Sequence, residues 1–145
     1  MAEQNRIKRL IAEKGFFTGA HIRCQDPCMS ELVASVGYDV LWIENEHSFL
    51  DKGTTNLHVL AAQAGGAAAV VRVAWNDPVL VKPVLEMGVD GVIFPLISSA
   101  EDARKAVASC LYPPEGIRGF GPIRANRYGL ISTEEYLKTA NERIF

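Results

Sequence analysis

Short apolar runs alternate with segments of helical periodicity along this chain. Four runs read as strands: FFTGAHI, the head of VLWIENEH (Val40 to His47), AAAVVRVA (Ala67 to Ala74) and GVIFPLI (Gly91 to Ile97). Apolar runs without alternation are expected where a strand is covered on both faces. Between them, two segments repeat one pattern. DPCMSELVASVGYDVLWI from Asp26 and DPVLVKPVLEMGVDGVIF from Asp77 each open with Asp-Pro. Aspartate accepts the free N–H groups of a helix start, and proline fits the first turn because its missing N–H would go unbonded there. Each segment has a glycine eleven residues on, Gly37 and Gly88, where a left-handed residue ends a helix. The spacing predicts an inward stripe of Met29, Leu32, Val33 and Val36 in the first helix, and of Val81, Val84 and Leu85 in the second, which Pro83 should kink.

The remaining segments follow the same grammar. A helix is expected over about Thr54 to Ala64, with Leu57, Leu60 and Ala61 inward. After the fourth strand, SSAEDARKAVASCLY opens with a capping box of Ser98 and Glu101 and carries a stripe of Ala103, Ala106, Val107, Cys110 and Leu111. PPEGIRGFGPIRANRYG reads as a loop. A last helix from about Thr133 to Asn141 has Ser132 or Thr133 as its cap, and the final RIF reads as the opening of another strand. The order is a helix, four β-α units, an extra helix and the start of a fifth strand. It predicts parallel pairing with right-handed crossovers, in a closed barrel or an open doubly wound sheet. A closed eight-fold barrel needs about 250 residues, and this chain has 145. Residues 1–145 are expected to form one domain around one core.

Composition narrows the function classes. Hydrophobic residues make up 48% and charged residues 22%, as in a globular protein, and the net charge of −2 gives no basic excess for nucleic acid or an anionic membrane surface. The longest apolar-rich run, VLAAQAGGAAAVV, is too short to span a bilayer. MAEQNRIKRLIAEKG lacks the apolar core of a secretion signal. Three cysteines, Cys24, Cys28 and Cys110, then suggest reduced thiols in a cytoplasm. HIRCQDPC offers His21, Cys24 and Cys28 as a zinc half-site, but no fourth ligand is evident; small side chains packed near a strand end are the plainer reading.

The chemistry concentrates where VLWI runs into Glu44, Asn45, Glu46 and His47. Parallel strands place sites at their carboxyl ends. Alternation puts Glu44 and Glu46 on one face and Asn45 on the other. On the next strand, Arg72 stands among apolar neighbours and needs anionic partners or water. A buried Arg–Glu pair that only fixes strand register is the plain alternative, as a surface-loop histidine is for His47. Their convergence on one layer points instead to proton abstraction beside a carbonyl, with histidine carrying the proton and Arg72 holding the oxyanion.

In GYDVLWIENEH, VVRVAWNDPVLVKPVLEMGVDGVIFPLISSAEDARKAV and YPPEGIRGFG, within about residues 30–121, the chain resembles the HpcH/HpaI aldolase family of metal-dependent pyruvate aldolases from aromatic and sugar-acid catabolism. The resemblance implies an α/β fold, a TIM (β/α)8 barrel of which this chain covers the first four βα units and the start of strand five. It implies a homo-oligomer, usually a hexamer. It also implies cleavage or formation of a 4-hydroxy-2-oxo acid from pyruvate, or another 2-oxo acid, and an aldehyde, through an enolate held on Mg2+, Mn2+ or Co2+. By position, His47 matches the acid/base histidine, Arg72 the arginine that holds the keto acid, and Glu46 the glutamate close to the metal's water shell. Glu86 falls at the carboxylate that partners the histidine, with a solvated helix residue as its plain reading. Glu44 stands where aspartate is common, and Arg124 matches an arginine lent to a neighbouring subunit, with a plain surface residue as its alternative reading. The direct metal ligands are expected beyond Phe145, so little activity is expected from these residues alone.

Three other readings each make a structural demand. A half barrel without chemistry, serving assembly, would leave strand edges open. A Schiff-base aldolase needs a lysine at a strand end, whereas Lys82 and Lys105 are expected on helices and Lys52 in the loop beyond His47. Phosphate binding by GIRGFG would need a strand-to-helix link, and this loop follows a helix.

Overall fold

A computed structural model describes residues 5–145. The first four residues, on which part of the leader reading rests, lie outside the described residues. Four strands form one parallel sheet in the order β1-β2-β3-β4: β1 Gly19–Ile22, β2 Val40–Glu44, β3 Ala68–Arg72 and β4 Gly91–Ile93. Helices α1 Arg6–Lys14, α2 Cys28–Ser35, α3 Lys52–Ala64, α4 Pro78–Glu86, α5 Ala100–Cys110 and α6 Thr133–Ala140 complete the order. This is the first half of a (β/α)8 barrel. Phe145 extends it: its N–H donates to Asp90 O at 3.0 Å and its carbonyl accepts Val92 N–H at 3.0 Å, so the RIF end pairs beside β4. Among the described residues no helix is long and apolar enough to cross a membrane.

Alternation divides the sheet into two faces. Leu41, Ile43, Ala69 and Val71 face the helices and share a core with Val59, Val81 and Leu85. Val40, Ala68 and Val70 face the other way, onto Ile7 of α1, which covers the amino end of that face. Fully burying a side chain of this size contributes about 1.5–3 kcal/mol. Asn5 fixes α1 there. Its amide donates to Asp90 O (2.7 Å) and Arg143 O (2.6 Å), while its Oδ1 caps the helix at Ile7 N (3.0 Å).

The Asp-Pro starts behave as expected. Asp26 accepts Cys28 N–H at 2.9 Å and Asp77 accepts Val79 N–H at 2.8 Å, and Gly37 and Gly88 take φ of 104° and 69°. Ser132 caps α6. The α5 box sits one residue later than expected: Ser99 accepts Asp102 N–H, and Asp102 reaches back to Ser99 Oγ. GVIFPLI is strand only through Ile93. Pro95 has no N–H for a ladder, and Leu96 turns the chain away at φ 53°.

The α4 stripe of Val81, Val84 and Leu85 is buried as expected, whereas the stripes of α2, α3 and α5 are rotated from those expected. In α2, Ser30 and Ala34 are buried, and Met29, Leu32 and Val36 are exposed. The cause is a close helix crossing. A Cβ on Gly65 would stand 2.6 Å from Ala34 Cβ and 2.8 Å from Glu31 O, so α2 meets α3 through its small side chains. In α3 the inward residues are Thr55, His58, Val59 and Ala62, with Leu57 half exposed. Thr55 Oγ1 donates to Asp51 O (2.7 Å), and His58 Nδ1 pairs with Ser30 Oγ (2.8 Å), which satisfies these atoms, while His58 Nε2 is buried without a partner among the described residues. In α5, Ala106, Ser109 and Cys110 are inward and Val107 is exposed.

Candidate active site

Strand register assembles the polar cluster. His21 pairs with Trp42, and Glu44 pairs with Arg72, in the parallel ladder. The period of two then puts His21, Trp42, Glu44 and Arg72 on the same sheet face as Val40 and Val70, further toward the carboxyl ends. Glu44 is fully buried, and its carboxylate is satisfied from four directions. Oε1 accepts the N–H groups of Glu46 (2.7 Å) and His47 (3.1 Å) and Arg72 Nε (3.0 Å). Oε2 meets His21 Nε2 at 2.9 Å and Arg72 Nη2 at 3.0 Å. Burial pushes the Glu44 carboxyl up, but these hydrogen bonds outweigh it and bring it down to about 2. The group is a fixed anion at neutral pH.

Glu46 leaves the strand and turns back to the same guanidinium, its Oε2 lying 3.0 Å from Arg72 Nε. Arg72 also lies over the Trp42 ring at 5.1 Å, and His21 stacks on the same indole at 4.6 Å. Two nitrogens of Arg72 are held by carboxylates, while Nη1 takes no hydrogen bond or ion pair among the described residues. It is a donor pair left over on a positioned guanidinium. Asn45 takes the opposite face, where its Oδ1 accepts the Thr55 hydroxyl (3.0 Å).

The expected site residues divide into two groups. Arg72, Glu44 and Glu46 meet as the alternation predicts. His47 lies at the lip, its side chain 66% exposed and its Nε2 3.4 Å from Glu46 Oε1, so one carboxylate links it to Arg72. Glu86 is not beside His47. It ends α4, which runs back to the amino ends of the strands, and there it pairs with Arg118 Nη2 at 3.0 Å. Within this chain that corrects the expected His47–Glu86 partnership: a helix antiparallel to its strand carries its last residue to the far end. Arg124 lies at that far end too, donating to Met87 O (2.5 Å) and Gln63 Oε1 (2.6 Å).

His21 is the residue the sequence reading placed elsewhere. Its imidazole belongs to the Glu44 cluster, and Cys24 and Cys28 are exposed beside it. The period-two register with Trp42 was the available signal. Among the described residues no group of three or more His, Cys, Asp and Glu side chains could hold a metal ion. The oxygens of Glu44 and Glu46 are engaged by Arg72, the histidines and backbone N–H groups. Lys82 and Lys105 lie on helices and Lys52 opens α3, so none of the three stands on a strand.

A profile of the HpcH/HpaI aldolase/citrate lyase family matches residues 18–144. A 5-keto-4-deoxy-D-glucarate aldolase of Escherichia coli is 34% identical over 141 residues, covering 97% of this chain and 54% of that relative. Among solved structures, an HpcH/HpaI aldolase/citrate lyase family protein from Burkholderia cenocepacia superposes with a TM-score of 0.88 at 30% identity, over 97% of this chain and 57% of that one. An HpcH/HpaI aldolase from Desulfitobacterium hafniense gives a TM-score of 0.87 at 26% identity, over 96% and 54%. The chain spans about half the length of the relatives it matches. With the half-barrel sheet, the strand-end cluster and the matched profile in agreement, the chain belongs to the HpcH/HpaI aldolase/citrate lyase family.

Proposed function

We propose that this chain forms the keto-acid and proton-handling half of a pyruvate aldolase site, one that cleaves or forms a 4-hydroxy-2-oxo acid. The observation that carries this reading is Arg72, anchored by two carboxylates and one indole with Nη1 left over. In the synthetic direction a proton leaves C3 of the 2-oxo acid and the electron pair moves to the C2 oxygen. Arg72 Nη1 donates to that oxyanion, and Glu44 and Glu46 keep the guanidinium from swinging away. C3 then bonds to the aldehyde carbon, whose oxygen takes up a proton. Histidine carries these protons. His47 is the carrier the family resemblance indicates. His21 is a second, favoured by its 2.9 Å contact with the fixed Glu44 anion: with Nε2–H donated to Glu44, Nδ1 is left as the basic nitrogen.

A divalent cation such as Mg2+, Mn2+ or Co2+ supplies Lewis-acid support for an enolate in such sites. In this reading its direct ligands come from residues other than those described, and no step above runs through it. The reading also includes a cytoplasmic homo-oligomer, a hexamer by resemblance. The test is a fusion of this chain to the carboxyl-terminal half of the E. coli relative, assayed for pyruvate release from 4-hydroxy-2-oxo acids. Turnover should appear and fall by about 100-fold or more in Arg72→Ala. Near-normal rates in a folded Arg72→Ala fusion would remove Arg72 from the mechanism.

A further inference from the structure

A cavity of about 700 Å³ lies at the amino ends of the strands, the opposite end from Arg72. It falls within the size range of small-molecule sites. Among the described residues, Arg6 and Arg9 of α1, Arg118, Arg124 and Arg127 of the loop after α5, and Arg143 after α6 line it, with one carboxylate, Asp90. The whole chain carries a net charge of −2, so this basic lining is a local concentration.

For Arg6, Arg9, Arg118, Arg124 and Arg143, little of that charge is neutralised among the described residues. Arg118 pairs with Glu86. Arg124 donates only to neutral oxygens, Met87 O and Gln63 Oε1, and Arg143 Nε donates to the Thr139 hydroxyl (2.8 Å). Arg6 and Arg9 make no ion pair among the described residues. Asp90 does not answer them: its Oδ2 accepts Gln63 Nε2 (3.0 Å) and Ala69 N–H (2.8 Å). A second observation is independent of the charge count. The Arg118 side chain is 4% exposed, yet its Nε is a buried donor with no partner. A buried donor left unmade is costly and marks a place for an acceptor.

We propose that this cavity binds a small polyanion, a molecule carrying at least two carboxylate or phosphate groups. Guanidinium forks match the planar oxygen pairs of either group. The forks come from α1 and from the 118–143 segment, so a ligand with two anionic groups engages more than one of them. An anion there relieves the repulsion among the arginines and thereby stabilises the folded chain.

The experiment is a thermal-shift and calorimetric titration of the 145-residue chain with citrate, pyrophosphate and, as a single-charge control, acetate, all at matched ionic strength. Citrate or pyrophosphate should raise the unfolding midpoint where acetate does not, and the tighter of the two identifies the anionic group. The Arg6→Gln, Arg9→Gln double variant should bind at least tenfold more weakly. Arg143→Gln gives an independent reading should the double variant fold poorly. Arg104→Gln, exposed on α5 and outside the lining, should bind unchanged. Equal effects from acetate, unchanged affinity in the folded arginine variants, or loss of binding in Arg104→Gln alone would each overturn the proposal.

Discussion

Glu44 is the residue on which the cluster turns. It is fully buried, and it holds Arg72, His21 and two backbone N–H groups at once. Its carboxyl sits at about 2, below its ordinary value of 4.5. The unfolded chain therefore binds a proton first as pH falls. The stability Glu44 contributes is complete above about pH 5 and is lost between there and pH 2. Its size is on the order of 3 kcal/mol. Urea unfolding at pH 7 and pH 3 should show this loss in the wild type and a smaller acid slope in Glu44→Gln. An identical slope would mean the carboxylate is not the fixed anion described. His58 adds a second acid-sensitive group. Burial holds its imidazole below the ordinary 6.5, and its stabilisation weakens as pH drops under that value.

Residue by residue, legibility in the sequence followed physical demand. A guanidinium among apolar neighbours requires anions, so Arg72, Glu44 and Glu46 were legible. His21 was hidden because β1 is only four residues long and the histidine sits beside two cysteines. Glu86 was misplaced because a motif match gives no direction along a helix, whereas α4 delivers its last residue to the wrong end for His47.

At the scale of elements, helix starts and ends were legible, as was the face of α4, while the faces of α2 and α3 were not. Asp26, Asp77, Gly37 and Gly88 act through local geometry that the sequence states directly. The faces of α2 and α3 are set by a tertiary contact, Gly65 against Ala34 and Glu31, which turns small and polar residues inward. Two substitutions separate the expected from the observed stripe. Leu32→Ala on exposed α2 should change the unfolding free energy by no more than about 0.5 kcal/mol. Leu41→Ala, fully buried in β2, should cost about 2–5 kcal/mol. A large loss in Leu32→Ala by chemical denaturation would mean that the face of α2 is covered in solution. Ser30→Ala, which strips His58 Nδ1 of its partner, should cost about 1–3 kcal/mol.

At the scale of the molecule, four parallel strands and a fifth begun by Phe145 make an arc rather than a ring. The arc orders the two ends of the sheet differently. The carboxyl end holds an anchored guanidinium with a donor to spare, and the amino end holds the arginine-lined cavity. The engaged carboxylates of Glu44 and Glu46 make a definite prediction. Titrating the 145-residue chain with Mn2+ and pyruvate should reveal no tight site, and micromolar binding would show that these oxygens ligate metal after all.

The central claim is that Arg72 stabilises an oxyanion next to a carbon that loses its proton. Its most direct measurement is the exchange of pyruvate methyl protons into D2O, followed by proton NMR, in the fusion that restores a full set of strands. Exchange should exceed the buffer rate, vanish in Arg72→Ala, and slow in whichever of His47→Asn and His21→Asn removes the proton carrier. Exchange at the wild-type rate in a folded Arg72→Ala protein would contradict the account.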